Sequence, residues 1–551
     1  MSSPSSSDFI PGTVHLVDLD STISSRHARG ASRDVVLIPT PSNDPDDPLN
    51  WSPRRKLLFL SCICVYCQAV GIASAAIYSV LVPISDATDL TVADLNSGTG
   101  YMFLAFGWGC LIWQPLAQKF GKRPVYLLSL LGSMGTMLWA PYATTNGQWI
   151  ANKVVQGLIG APIESLCEVS IADVYFTHER GTYVGLYALF LVGSNFLAPV
   201  IAGFINDGQR WEWVLHWCAI FCGAAFIILL FFMEETNFHR VATTTATPPS
   251  PSNNTSSTPS LNDPSSTADV EKNSQPQTQG IDTARGEIET LSKKTFLQKM
   301  KLVQREDLQS KVPVTNMVLR PLIYFSFPIV VFSGFMYGAT VCFFNVLNGT
   351  ASLILSSAPY NFSASIVGLS YVSCLIGVVI GSIYAGPVGD KFILWQARRN
   401  NGIMEPEQRL WLYAALLIVL PGALLLWGVG AAHEVHWFGP VFAMGALAAA
   451  MTAGCGLPIS YCIDCYKDLG ADAIVTVILI RNTMSFAVSY GITPWVENIG
   501  YQNAFLIAAF AGLAQTSVFF IFVKWGRQLR KASVGRYWKY VQQVKDDGLL
   551  H

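Results

Sequence analysis

The apolar residues of this chain gather into twelve runs long enough to cross a bilayer, six before and six after a long polar interruption. A crossing helix needs about 20 largely apolar residues, and only a helix satisfies its own backbone hydrogen bonds where water is absent. The runs are Leu57–Val82, Leu95–Ala117, Val125–Ala143, Trp149–Tyr175, Tyr183–Ile205 and Trp213–Met233, then Leu322–Leu347, Ser363–Ala385, Leu410–Gly430, Gly439–Tyr461, Ala473–Val496 and Ala504–Val523. Composition agrees, since 51% of the 551 residues are hydrophobic and only 13% are charged, against about 25% in a soluble domain. The expected fold class is an all-α membrane protein with twelve transmembrane helices in two six-helix halves.

Residues 1–56, rich in Ser, Pro and Asp, read as a disordered cytosolic tail without a cleaved leader, so the first helix is the expected insertion signal. The halves are expected at 57–236 and 319–524. Between them, 237–318 reads as a disordered cytosolic linker, with tracts such as TTTATPPSPSNNTSSTPS, and 525–551 as a cytosolic C-terminal tail. Alternate loops carry opposite charge. One set holds Lys119, Lys122, Arg123, Arg180, Lys391, Arg398, Arg399, Arg409 and Lys467, while the other holds Asp86, Asp89, Asp94, Asp207, Glu434 and Glu497, with Arg210 the main exception. Basic loops stay in the cytosol, which puts both termini there. The sequons at Asn348 and Asn361 fall in the expected outer loop between spans 7 and 8.

A net charge of −1 gives nucleic acid no footprint. The twelve cysteines lie in or beside apolar runs and read as reduced, packed thiols; Cys64-Val-Tyr-Cys67 and Cys462-Ile-Asp-Cys465 lack the second ligand pair that a zinc site needs. No metal or cofactor is expected. Nor is an enzyme, because no HExxH, GxSxG or nucleotide loop is present.

The fourth run carries Lys153, Glu164, Glu168 and Asp173. An intramembrane carboxylate is costly and marks a pathway or a paired site. Glu164 and Glu168, four residues apart, share a helical face with Lys153 close to the same side, which makes a polar stripe for proton or cation coupling. Asp464 and Asp173 are the next candidate acids. Arg481, near the middle of span 11, is placed to hold a carboxylate, an anionic substrate or Asp464.

Gln114-Pro-Leu-Ala-Gln118-Lys119-Phe-Gly121-Lys122-Arg123 follows span 2, and Gly386-Pro-Val-Gly-Asp390-Lys391 follows span 8. Here the chain resembles the major facilitator superfamily, whose loop motif runs Gly-x-Leu-Ala-Asp-Arg-x-Gly-Arg-Arg. Gln114 and Gln118 depart from it in the first copy. Lys153-Val-Val-Gln156-Gly157 is similar to that family's span 4 motif, and Ser194, Ala198, Pro199, Ala202 and Gly203 to its antiporter motif on span 5. Pro162-Ile-Glu164-Ser165, Tyr175-Phe-Thr-His178-Glu179-Arg180 and Tyr461-Cys-Ile-Asp464 resemble the fungal twelve-span drug:proton antiporters, a branch of multidrug and metabolite exporters and polyamine transporters.

The resemblance implies gating by Lys119, Gly121, Lys122, Arg123, Asp390 and Lys391. It also implies a sliding interface where spans 5 and 8 meet, and a substrate cavity walled by spans 1, 4, 7 and 10. Its expected lining is Tyr66, Gln68 and Tyr78, then Tyr337 and Asn345, then Tyr461 and Asp464, with Arg481 beside them. The expected function is proton-coupled export of a drug or secondary metabolite by a monomer in the plasma membrane. The alternatives are proton-coupled uptake of an organic cation such as a polyamine, and a non-transporting sensor of the same fold. The expected partners are the small-molecule substrate, protons and the lipid bilayer.

Overall fold

The computed structural model describes residues 11–12, 14–15, 44, 46–237, 314–400 and 403–546. In the first half the helices are α1 (Pro53–Ala75), α2 (Leu81–Ala87), α3 (Val92–Phe120), α4 (Lys122–Trp139), α5 (Asn146–Gly160), α6 (Pro162–Val174), α7 (Thr177–Gln209) and α8 (Trp211–Phe232). The second half holds α9 (Val314–Ile323), α10 (Pro328–Ser356), α11 (Ala364–Ser370), α12 (Val372–Ile383), α13 (Gly389–Arg399), α14 (Tyr413–Ala432), α15 (Phe438–Cys465), α16 (Gly470–Ser517) and α17 (Phe519–Asp546).

Nine stretches among the described residues are long and apolar enough to cross a membrane. The last of them, Asp472–Gln543, makes two crossings, because Gly500 at φ 76° turns the chain back within α16. With α3 and α4 running the same course, the bundle has twelve helical traverses in two sets of six. Its outer surface is apolar, as a lipid-facing surface must be: Trp213, Trp217, Ile220, Ile227, Phe231 and Phe232 of α8 are all exposed.

Local chemistry sets the helix ends. Thr91 and Asp94 cap α3 reciprocally, the Asp94 N–H donating to Thr91 Oγ1 (3.1 Å) and the Thr91 N–H to Asp94 Oδ2 (3.0 Å). One residue, Gly121 at φ 99°, turns α3 into α4. The fourth run divides at Ala161, since Pro162 cannot supply an N–H and starts a new helix, leaving Glu164 in the first turn of α6. The eighth contains a π-helical turn, Tyr384–Val388, around Pro387.

The halves meet along two seams. Gly107 of α3 lies against Asn482 of α16, and Gly100 against the Phe486 carbonyl. Gly203 of α7 packs on the Ala364 carbonyl, while Gly368 packs on that of Pro199; Ala198 and Ala202 beside them are buried. Spans 5 and 8 thus meet at the stripe of small residues, whose lack of side chain lets the backbones approach.

Several boundaries differ from the sequence reading. The tail expected to be structureless to residue 56 is ordered from 46: Asp47 caps Pro48–Asn50 and Trp51 is buried edge-on against Phe59 at 6.0 Å. Nearer the start, Val14–His15 pairs antiparallel with Ile403–Met404, a two-residue ladder that an all-α expectation did not contain. The second half begins at Val314 rather than 319, because Val314–Ile323 forms an amphipathic helix; residues 238–313 of the expected linker lie outside the described residues. The C-terminal stretch beyond 525 is helical to Asp546, anchored by the buried Arg530. Asn348 is not in a loop. α10 continues to Ser356, burying Asn348 and engaging its Oδ1 with the Tyr371 hydroxyl at 3.2 Å, which closes that sequon to glycosylation; Asn361 is exposed.

Candidate functional site

The described segments nearest the two ends meet on one face of the bundle, where Arg530 holds the Pro11 carbonyl; this is the terminal face. Arg481 lies eleven residues into α16 from Gly470 (481 − 470), hence about 17 Å from that face along the helix, near the middle of a hydrocarbon core about 30 Å thick. Its guanidinium Nη2 reaches across the halves to Glu164 Oε1 at 2.5 Å. The same Nη2 donates to Asn482 Oδ1 (2.8 Å), and Nη1 donates to the Tyr337 hydroxyl (2.8 Å), whose ring centroid is 5.0 Å from the guanidinium carbon. Both charged side chains are nearly buried, at 10% and 13% exposure. An Arg–carboxylate pair in this setting is held by strong electrostatics, since little solvent screens it.

This node joins three of the residues singled out in the sequence, Glu164, Arg481 and Tyr337, and adds Asn482, which sequence reasoning missed. Its signal was available, because Asn482 is the polar residue next to Arg481 in an otherwise apolar run. The carboxylate that Arg481 holds is Glu164, not Asp464.

The remaining candidates lie elsewhere. Lys153 is fully buried one helix earlier, donating to Gln156 Oε1 (2.9 Å) with its ammonium 4.7 Å from the Trp149 ring; Gln156 in turn donates to the Ala73 carbonyl. The break at Ala161–Pro162 separates it from Glu164. Glu168, half-buried, follows one turn after Glu164. Tyr66 bonds Ser129 Oγ at 2.8 Å inside the first half, and Gln68 donates to the Phe190 carbonyl at 3.0 Å. Tyr78 is buried near the face opposite the termini, while Tyr461 is buried inside the second half, edge-on to Phe332. Asn345 is buried on α10, its Nδ2 without a partner among the described residues.

Charge at the terminal face is organised in each half. In the first, Lys122 pairs with Asp173, and Arg55 with Glu234. Glu235 accepts the backbone N–H of Lys122 and of Arg123 (3.0 Å each), capping α4, while the Arg123 guanidinium donates to the Leu230 carbonyl at 2.7 Å. Gly121 is required twice over: its φ is positive, and a Cβ there would meet Glu235 Oε2 at 2.6 Å. Lys119 is half-buried.

In the second half Arg409 bridges Asp464 (3.2 Å) and Asp390 (3.7 Å), so Asp464 belongs to this cluster rather than beside Arg481; Lys391 is exposed. Arg530 makes a bidentate pair with Glu407 (2.8 and 2.7 Å) and donates to the Pro11 carbonyl (2.7 Å). At the opposite face the halves are joined directly: Asn96 donates to the Gly349 carbonyl (3.2 Å) and Thr493 Oγ1 (2.9 Å), and Ser365 N–H to Asp207 Oδ2 (3.0 Å).

Comparison with known proteins agrees with this fold. A family model described as "Major Facilitator Superfamily" matches residues 62–463. The chain is 29% identical over 549 residues to an uncharacterized MFS-type transporter of Schizosaccharomyces pombe, covering 97% of this chain and 94% of that one. It is 28% identical over 563 residues to the protein HOL1 of Saccharomyces cerevisiae, covering 95% of each. To the multidrug transporter TPO1_2 of Candida glabrata it is 24% identical over 500 residues, 90% of this chain and 78% of the other. The xylose transporter XylE from E. coli, in a partially occluded inward-open conformation, has the same fold, with a TM-score of 0.54 at 12% identity over 85% of this chain and 98% of that one.

Proposed function

This chain belongs to the major facilitator superfamily, and we propose that it exports a small organic molecule by alternating access, with gain and loss of a proton at Glu164 as the coupling event. The observation that carries this reading is the Glu164–Arg481 pair, buried at mid-membrane and formed between the two halves. Alternating access rocks one half against the other around a central site. A charged link across the halves resists that motion, since breaking a buried pair costs about 3–5 kcal/mol by leaving one charge uncompensated. Protonation of Glu164 removes its charge and with it most of the link.

The terminal-face clusters each lie within one half and fit devices that hold the gating loops in place as the halves move. Lys122–Asp173 and Asp390–Arg409–Asp464 occupy equivalent places after the second span of each half. The excess of basic residues in the terminal-face loops supports a cytosolic location for both ends. Export as the direction is supported by a relative named an efflux pump, FUBT of Fusarium oxysporum, 25% identical over 507 residues. Accumulation of a panel of labelled organic compounds in cells overexpressing the chain tests it. Lower accumulation of at least one compound than in vector controls is the expected result; higher accumulation would overturn export.

A further inference from the structure

We infer that the polar seam between α3, α10 and α16 carries protons to Glu164 from the face opposite the termini, and that Asn96 closes its far end in the state described. The inference rests on the reading of Glu164 as the coupling acid.

α16 bears Asn482, Ser485, Ser489 and Thr493 at steps of three and four residues, which places them on one helical face. All four are buried. From first to last is eleven residues (493 − 482), about 17 Å along the helix, and the Glu164–Arg481 pair stands at the inner end. Opposite this row α3 presents glycines. A Cβ on Gly107 would meet that of Asn482 at 2.7 Å, and one on Gly100 would meet that of Ser489 at 3.3 Å, so no larger residue fits between the row and α3 at these two levels.

Much of this polarity has no protein partner. Asn482 Nδ2 and Ser485 Oγ are buried with no hydrogen bond among the described residues, as is Arg481 Nε beside them. α10 adds Asn345 Nδ2 and Ser352 Oγ. Asn345 lies seven positions after Gly338, which packs on Arg481, and Ser352 lies three after Gly349, which packs near Asn96, so both belong to the α10 face turned to the seam. Buried donors and acceptors are rarely left unsatisfied, and ordered water serves those that protein groups do not. Water held by hydroxyls passes a proton by exchange. Each oxygen takes one proton from the far side and gives one inward, the Glu164 carboxylate takes the last, and the file is left as it was.

Asn96 ends the file. It is 3% exposed, and its Nδ2 donates to the Gly349 carbonyl (3.2 Å) and to Thr493 Oγ1 (2.9 Å). An amide N–H donates without accepting in return, so it does not relay a proton. Both bonds run from the first half to the second, and rocking of the halves breaks them. The far end therefore opens when the halves part at that face, which is when a proton-driven exporter loads its proton.

On the other side, Glu168 follows Glu164 by one turn toward the terminal face, is half-buried, and offers the way out. The remaining titratable or charged groups facing Glu164 are Cys67 of α1, Cys110 of α3, Tyr187 of α7, Tyr337 of α10 and Arg481 of α16. With two carboxylates against one guanidinium, this set takes up one proton without gaining net positive charge.

The test needs no cargo. The full chain is placed in sealed liposomes holding a pH-sensitive dye, with potassium and valinomycin to clear the membrane potential, and the medium is acidified. Asn96→Ala should acidify the lumen severalfold faster than the unaltered chain, with a retained fluorescent marker showing that the vesicles stay sealed. Thr493→Ala removes one acceptor of Asn96 and should raise the rate less; it stands in if thermal melts show that Asn96→Ala does not fold. Adding Ser485→Val to Asn96→Ala replaces a hydroxyl by methyl groups and should return the rate close to that of the unaltered chain. Adding Glu164→Gln should do the same.

No added leak in either opening variant would overturn the inference, as would a leak that Ser485→Val leaves unchanged. In the second case, a block by Glu164→Gln would leave the functional reading standing while the file falls. A leak stopped by Ser485→Val but not by Glu164→Gln would overturn delivery to Glu164 and the functional reading together.

Discussion

Breaking the Glu407–Arg530 pair should destabilise the second half more than any exposed charge change in the chain. Arg530 is 0% and Glu407 7% exposed at the side chain, joined by two bonds of 2.8 and 2.7 Å, with the Pro11 carbonyl taking a third donor. Glu407→Gln keeps the shape but removes the carboxylate charge that pairs with the buried guanidinium, at a cost of about 3–5 kcal/mol. For a half of this size, that corresponds to a fall on the order of 10 °C in melting temperature. Glu407→Leu combined with Arg530→Met replaces the pair by apolar groups and should recover most of the loss. The assay is a double-mutant cycle read from thermal melts in lipid nanodiscs, with a coupling energy above about 2 kcal/mol expected. Additive single and double effects, or a single-variant loss below 1 °C, would refute the account of this pair as a buried anchor.

Three further outcomes follow from the same structure. Gly121→Ala combines a positive φ with a Cβ that would meet Glu235, and should lower stability by about 1–2 kcal/mol, measured in the same melts. Gly203→Val should wedge the seam between spans 5 and 8 against the Ala364 carbonyl; initial flux should fall at least severalfold at unchanged surface abundance, and undiminished flux would show that the close approach is not needed. Mass spectrometry of protein from a secretory-pathway host should find no glycan on Asn348, which is buried with its side chain engaged by Tyr371.

Much of this architecture was legible because lipid imposes a one-dimensional rule. Any run of apolar residues about 20 long must be a helix, so the spans, their grouping and the alternation of loop charge could be read directly. The importance of Glu164 was legible for the same reason, since a carboxylate in such a run demands a partner. Which partner it took was not. Arg481 is more than 300 residues away (481 − 164) and meets Glu164 only through the packing of α6 against α16. Asp464 looked like a cavity residue because span 10 was expected to line the cavity, but it lies at the last turn of α15, where Arg409 is closer. The docking of Val14–His15 on Ile403–Met404 left no trace in periodicity, because two residues of backbone pairing carry no side-chain pattern. Tyr66 and Tyr461 illustrate a further limit: an aromatic in a crossing helix packs equally well inwards, and each is enclosed within its own half.

The central claim is that the Glu164–Arg481 pair couples proton movement to the alternation of the halves. Its most direct measurement is cargo flux in proteoliposomes holding the unaltered chain or Glu164→Gln, with the external pH stepped from 5.5 to 8 at fixed internal pH. The account predicts flux that changes severalfold across the range for the unaltered chain and stays flat for Glu164→Gln, with cargo binding retained. A Glu164→Gln chain that keeps the full pH dependence would contradict it.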